Sequence, residues 1–73
     1  MKPTIGRVVI YHFHSQELTE NNNSIEAPAI IVRVWSDDMV NLKVLNDGAN
    51  NSWKTSVHIG TEQGQWSWPV INK

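Results

Sequence analysis

The chain contains no cysteine. No disulfide can staple it, and no thiolate can hold zinc. It has no excess of charge either: 6 Lys and Arg stand against 7 Asp and Glu, a formal net charge of −1. A general nucleic-acid binder gains affinity by neutralising several phosphates, and no basic surplus exists here to do so. Long apolar runs are absent too. None approaches the length that crosses a bilayer, and Met1-Lys2-Pro3 does not lead into a signal-peptide core. The expectation is a cytoplasmic protein with no membrane partner. No helical period, internal repeat or domain boundary is evident. The 73 residues are expected to form one domain, residues 1–73. A domain of this size buries only about 60% of the surface its unfolded chain exposes. A core that thin, with no staple, favours self-association.

Tryptophan is what the chain has in surplus, with 4 Trp beside 1 Tyr and 1 Phe. Trp offers large area on a rigid frame and suits cores, interfaces and stacked ligands. A short chain has difficulty hiding all of them.

The apolar pattern is that of strands. Arg7–His14 is rich in β-branched and aromatic residues, with Val8, Ile10, His12 and His14 on one face and Arg7, Val9, Tyr11 and Phe13 on the other. Ser15–Glu26 is polar, has three consecutive Asn, and reads as an exposed, mobile hairpin loop. Ala27–Trp35 is the strongest strand. Its Ile30, Val32 and Val34 look like core, while Ala29, Ile31, Arg33 and Trp35 take the other face. Pro28 marks that strand's beginning. After a Ser36–Asp38 turn, Met39–Leu45 follows as a hairpin partner, with Val40, Leu42 and Val44 opposite Asn41, Lys43 and Leu45. Asn46–Ser52 is a turn in which Asp47-Gly48 could supply positive φ. Trp53–His58 and Gln65–Trp68 are shorter strands, the latter limited by Pro69. The fold class is therefore all-β: a small five-stranded, strongly bent antiparallel sheet or SH3-like barrel.

Four residues would meet across the Ser36–Asp38 hairpin: Arg33, Trp35, Asn41 and Lys43. A guanidinium fork, an ammonium, an amide and an indole suit a phosphate with an adjacent ring. The competing reading is a half-exposed sheet face on which Arg33 simply covers Trp35. Trp66 and Trp68 share a face and could close the barrel, enter a subunit interface or stack on a ring. Trp53, beside the Asn-rich turn, is the tryptophan expected to be most exposed. With His58 these are candidate interface or stacking residues. His12 and His14 have a spacing that can ligate a metal, with His58 as a third ligand, but histidine alone is a weak signal, and the plainer reading is that two of them are exposed at a strand end. No metal or cofactor is expected.

Catalytic signals are lacking. There is no Cys nucleophile, no Gly-rich phosphate cradle and no nucleophile elbow. Asp37-Asp38 reads as a turn-former rather than a carboxylate dyad, and Ser56 and His58 have no evident orienting third group. A binding protein rather than an enzyme is expected.

Ile5-Gly6-Arg7-Val8-Val9 with Tyr11, Pro28–Trp35, Val40–Val44 with Asp47-Gly48, Thr55-Ser56-Val57 and Gly64–Pro69 come in an order that resembles a widespread family of small phage and prophage proteins without an assigned role. The resemblance covers most of the chain outside Ser15–Glu26. That family usually has a His just before the Tyr; here the position is Ile10, and the histidines fall at His12 and His14. By analogy of size and context, the resemblance implies a protein acting against host defence. Such proteins include oligomeric sponges that sequester the nucleotide signals of bacterial immunity, cyclic dinucleotides among them. Tyr11, Arg33, Trp35, Asn41 and Lys43 offer the plates, cations and amide that such a ligand needs. The alternatives are a barrel that binds and blocks a host protein through Trp53 and Trp66/Trp68, or a single-stranded nucleic-acid binder. Near-neutral charge counts against the last.

Overall fold

The structure is a computed structural model that describes residues 1–70. Five strands appear in chain order: β1 Val8–His12, β2 Glu26–Val34, β3 Met39–Val44, β4 Ser52–His58 and β5 Trp66–Ser67. They form one antiparallel, strongly curled sheet, a half-barrel, in the order β4-β3-β2-β1-β5. The first four strands meander, and β5 returns to the free edge of β1. At the far end Ile59, just past β4, makes a parallel bridge to Trp66, and Gly60 N–H donates to Trp66 O at 2.7 Å. The curl thus brings the two ends of the sheet together.

The core lies inside the curl. Val9, Ala29 and Val44 form one inward row, Tyr11 and Ala27 a second, and Ile31 and Leu42 a third, all buried. Val40 and Val57 pair beside them. Trp66 fills the mouth: it is fully buried, packs edge-on against Trp68 at 5.2 Å and donates its indole N–H to Asp38 O at 3.1 Å.

The inward face of β2 is the reverse of the sequence expectation. Ala27, Ala29 and Ile31 point into the core, while Ile30 is half-buried and Val32 exposed on the outside. The small inward residues of β2 are matched by large ones on the strands around them, Ala27 lying opposite Tyr11, and the bulky Trp66 fills the space they leave. Beyond Ile31 the register against β3 slips by one, so that Val32 and Arg33 both face outward and Val34 turns back to the core. Such an extra residue is a β-bulge.

Ser15–Glu26 also departs from expectation. It is not a mobile loop: Ser15–Asn21 winds as a 3₁₀ helix over the open side of the curl. Glu17 starts it by accepting the His14 N–H at 3.0 Å, and Asn22 and Asn23, both at positive φ, end it with Asn23 N–H on Leu18 O at 2.8 Å. Two polar anchors fix it. Asn21 is fully buried, donates to Ser24 O and Glu26 O at 3.0 Å each, and accepts Asp47 N–H at 2.6 Å. Lys54, reaching up from β4, binds Glu17 at 2.8 Å and Glu20 at 3.0 Å. The Asp47-Gly48 turn uses no positive φ at Gly48; Asn21 orders it from the other side.

Candidate functional site

Arg33, Trp35, Asn41 and Lys43 lie on the convex face of the sheet, Arg33 opposite Asn41 and Lys43 opposite Ile30. The organiser of this patch is Asn41, at the centre of β3. The β2 bulge lies on one side of it. On the other, Thr55 and Ser56 of β4 together oppose Asn41 alone, with Ser56 at φ 56°. These two irregularities turn polar groups toward one side chain. Asn41 is buried, and its Oδ1 accepts three hydrogen bonds: from Trp35 Nε1 at 2.9 Å, Thr55 Oγ1 at 2.9 Å and Ser56 N–H at 2.8 Å. With the oxygen saturated, the orientation of the amide is fixed. Its Nδ2 makes no hydrogen bond among the described residues, which leaves a donor at the base of the patch.

Trp35 is held by that bond and remains 47% exposed. Arg33 lies with its guanidinium 4.0 Å from the Trp35 ring centroid, a cation–π contact. Among the described residues no carboxylate pairs with Arg33, so its fork of donors is unspent. Lys43 stands further along β3, opposite Ile30 on one side and Trp53 on the other. Trp53 is 57% exposed, the most open of the tryptophans, as expected. The convex face thus presents Arg33 on Trp35 over Asn41, then Lys43 beside Trp53, with exposed Val8 and Val32 alongside.

Tyr11 does not join them. It sits on the concave side, 2% exposed, packed edge-on to Phe13 at 5.0 Å. Its hydroxyl donates to Glu17 Oε1 at 2.8 Å, and Lys54 Nζ lies 5.9 Å from its ring centroid. Burial, reinforced by the Glu17 carboxylate, pushes the phenol well above its ordinary range. Burial also raises Glu17, but hydrogen bonds from Lys54, the His14 N–H and Tyr11 outweigh it and leave the carboxyl below its ordinary value. For Lys54, burial lowers the ammonium, and the two glutamates overcome that to raise it. This network serves packing. Tyr11 faced inward because β1 presents its odd positions to the core.

The other candidates scatter. Trp66 belongs to the core and Trp68 is half-buried against it. His58 is exposed with its Nδ1 3.6 Å from Asp38 Oδ2. The Ser36 hydroxyl, and then His58, hold the Asp38 carboxyl below its ordinary value. His14 is exposed over Gly64, and the three histidines do not meet: among the described residues no cluster of three or more His, Asp or Glu forms a metal site. His12 has partners of a different kind, with Nε2 2.8 Å from Ser67 Oγ and Nδ1 3.4 Å from Glu26 Oε2. Sequence reasoning missed Ser67 and Glu26, because positions 12, 26 and 67 meet only through the pairing of β1 with both β2 and β5. Thr55 and Ser56 were missed for a similar reason: only the bulge turns them onto Asn41.

No family model, curated protein or solved structure matches the chain.

Proposed function

We propose that this chain is a binding protein that sequesters a small nucleotide, such as a cyclic dinucleotide, on its convex face and works as a homo-oligomer against host defence. One observation carries the reading: Arg33 stacked on Trp35, with Trp35 pinned by Asn41, while the guanidinium keeps its donors free. A phosphate takes the guanidinium fork, a base takes the aromatic and guanidinium planes, and the Asn41 Nδ2 donor meets a ring or phosphate oxygen. Lys43 adds a second cation. The reading needs no catalytic group at this site. The phage-type context comes from the sequence resemblance, and the place of action is then the host cytoplasm.

The plate is an open face and not a pocket. A small ligand held tightly is usually mostly enclosed. A second copy laid over Val8, Val32 and Trp53 would supply the missing wall, which is why self-association belongs to the proposal.

Native mass spectrometry of the gently purified protein, alone and with a panel of cyclic and linear nucleotides, tests this. The expected result is a discrete oligomer gaining nucleotide mass in fixed stoichiometry. Arg33→Ala lowers the affinity by about tenfold or more, the worth of a charge-assisted hydrogen bond. Arg33→Lys fails to restore it, because the fork and the stacking plane are lost. Unchanged binding in folded Arg33→Ala removes the plate from the site.

A second reading is favoured by three exposed apolar residues on the convex face, Trp53, Val8 and Val32: a surface that docks on a host protein and blocks it. In that case the panel gives no binding, and pull-down recovers one host factor that Trp53→Ser releases. A single-stranded nucleic-acid binder would instead lose affinity steeply as salt rises.

A further inference from the structure

At the β5 end of the half-barrel, away from the Arg33 plate, a cleft of about 380 Å³ lies on the outer face of β1. Ile10, Trp68, Pro69 and Val70 make its apolar wall. His12, Glu26 and Ser67 supply polar groups along it. These three are cross-strand neighbours: His12 pairs with Glu26 in the β1–β2 ladder, and Ser67 pairs with Ile10 in the β1–β5 ladder. Their side chains form a line, Ser67 Oγ to His12 Nε2 at 2.8 Å and His12 Nδ1 to Glu26 Oε2 at 3.4 Å. His12 is hydrogen-bonded to Ser67 on one side and lies within ion-pair distance of Glu26 on the other, with its side chain 16% exposed, while Glu26 stands at the rim at 55%.

The charge of Glu26 on the Nδ1 side favours one tautomer of His12. An ionised carboxylate only accepts, so Glu26 favours the His12 tautomer protonated at Nδ1. Nε2 is then a lone pair, and at 2.8 Å it accepts the Ser67 hydroxyl. A hydroxyl with a base on its proton and a third group orienting the base is the general arrangement of an activated nucleophile. Nothing in the packing demands it, since each of the three lies on the outer face and none fills the core.

We infer that Ser67 is a reactive serine, with His12 as its base and Glu26 as the residue that positions His12. The substrate class is a small acyl ester whose apolar acyl or alcohol part lies against Ile10, Trp68 and Pro69. Ser67 Oγ bonds to the ester carbonyl carbon while its proton passes to His12 Nε2. The ester C–O bond breaks, and the leaving alkoxide takes that proton and departs as an alcohol. Water, deprotonated by His12, then attacks the acyl-serine; the proton returns to Ser67 Oγ, and the acyl group leaves as a carboxylic acid. This activity is independent of the nucleotide plate.

The test uses a fluorophosphonate probe and p-nitrophenyl butyrate on the whole protein, with peptide mapping of the adduct. Expected is one adduct, on Ser67, formed faster than on the exposed Ser56 of the same chain, together with ester hydrolysis that Ser67→Ala abolishes. His12→Ala slows both by about a hundredfold or more, the usual worth of a general base. Glu26→Gln slows them less, and Glu26→Asp recovers part of the rate with an unchanged melting temperature, which separates positioning of His12 from a structural role. The wild-type map is decisive whether or not the variants fold: no adduct on Ser67, or one formed no faster than on Ser56, overturns the inference. So does labelling that persists in folded His12→Ala.

Discussion

The indole N–H of Trp35 donates to Asn41 Oδ1 at 2.9 Å, and the same oxygen takes the Thr55 hydroxyl and the Ser56 N–H. One amide oxygen therefore ties β2, β3 and β4 together at the point where the ladders on both sides are broken by bulges. Asn41→Leu leaves the Ser56 N–H without its acceptor and frees the Trp35 ring. The expected loss is about 2–3 kcal/mol of unfolding free energy, read from urea denaturation. Asn41→Asp keeps the acceptor and loses less. Equal losses for the two would mean that the oxygen is not what matters.

The buried Asn21 joins the 3₁₀ helix to the β3–β4 turn through its bonds to Ser24 O, Glu26 O and Asp47 N–H. Asn21→Ala strands these backbone groups and is expected to cost about 3 kcal/mol. Asn51→Ala, on the exposed surface, serves as the control and is expected to stay within about 0.5 kcal/mol. Thermal melts of the two side by side check this. A small effect at Asn21 would show that the segment is held by Leu18 and Lys54 without it.

The strands were legible in the sequence because β-branched and aromatic runs alternate between turn residues, and all five elements lie where that pattern puts them. The facing of β2 was not. Hydrophobicity alone ranks Ile30 and Val32 above Ala29, whereas the facing of β2 is set by its partners, whose large inward Tyr11 lies opposite the small Ala27. The 3₁₀ helix was hidden because its anchors are polar, a buried Asn and a lysine between two glutamates. Its one local signal was Glu17, three residues after His14, at the N3 position of a capping box. Of the plate, Arg33, Trp35, Asn41 and Lys43 were readable from the hairpin; Tyr11 was not separable from them without knowing which side of β1 is covered.

The same Lys54–Glu17 pair sets a pH window. Glu17 is depressed in the folded chain, so its contribution is present above the unfolded carboxyl value of about pH 4 and is lost as pH falls through the folded value. Lys54 and Tyr11 are raised, so theirs are present below about pH 10 and are lost as pH rises through their folded values. Melting temperature against pH is expected to show a plateau with an acid and an alkaline limb. Glu17→Gln flattens the acid limb and lowers the plateau. An acid limb unchanged in that variant would assign it to other carboxylates.

Trp53 is 57% exposed, so less than half of its indole is covered, and it pairs across the ladder with Lys43. Trp53→Ser is expected to cost about 1–2 kcal/mol. If the convex face joins copies, the same variant lowers the oligomer mass seen in sedimentation. A fall in stability well beyond that range, at a dilution where the protein is monomeric, would place Trp53 in the fold instead.

The doubled residues at Thr55–Ser56 also govern how copies of the chain can meet. β4 is an edge of the sheet, and an uninterrupted edge is a row of unpaired peptide groups along which another strand can zip. With Ser56 in a left-handed conformation, that row is bent and out of phase part-way along its length. Strand-to-strand growth into fibres is disfavoured at its first step. If copies of the chain associate as proposed, they do so through side chains on the outer face and not along this edge.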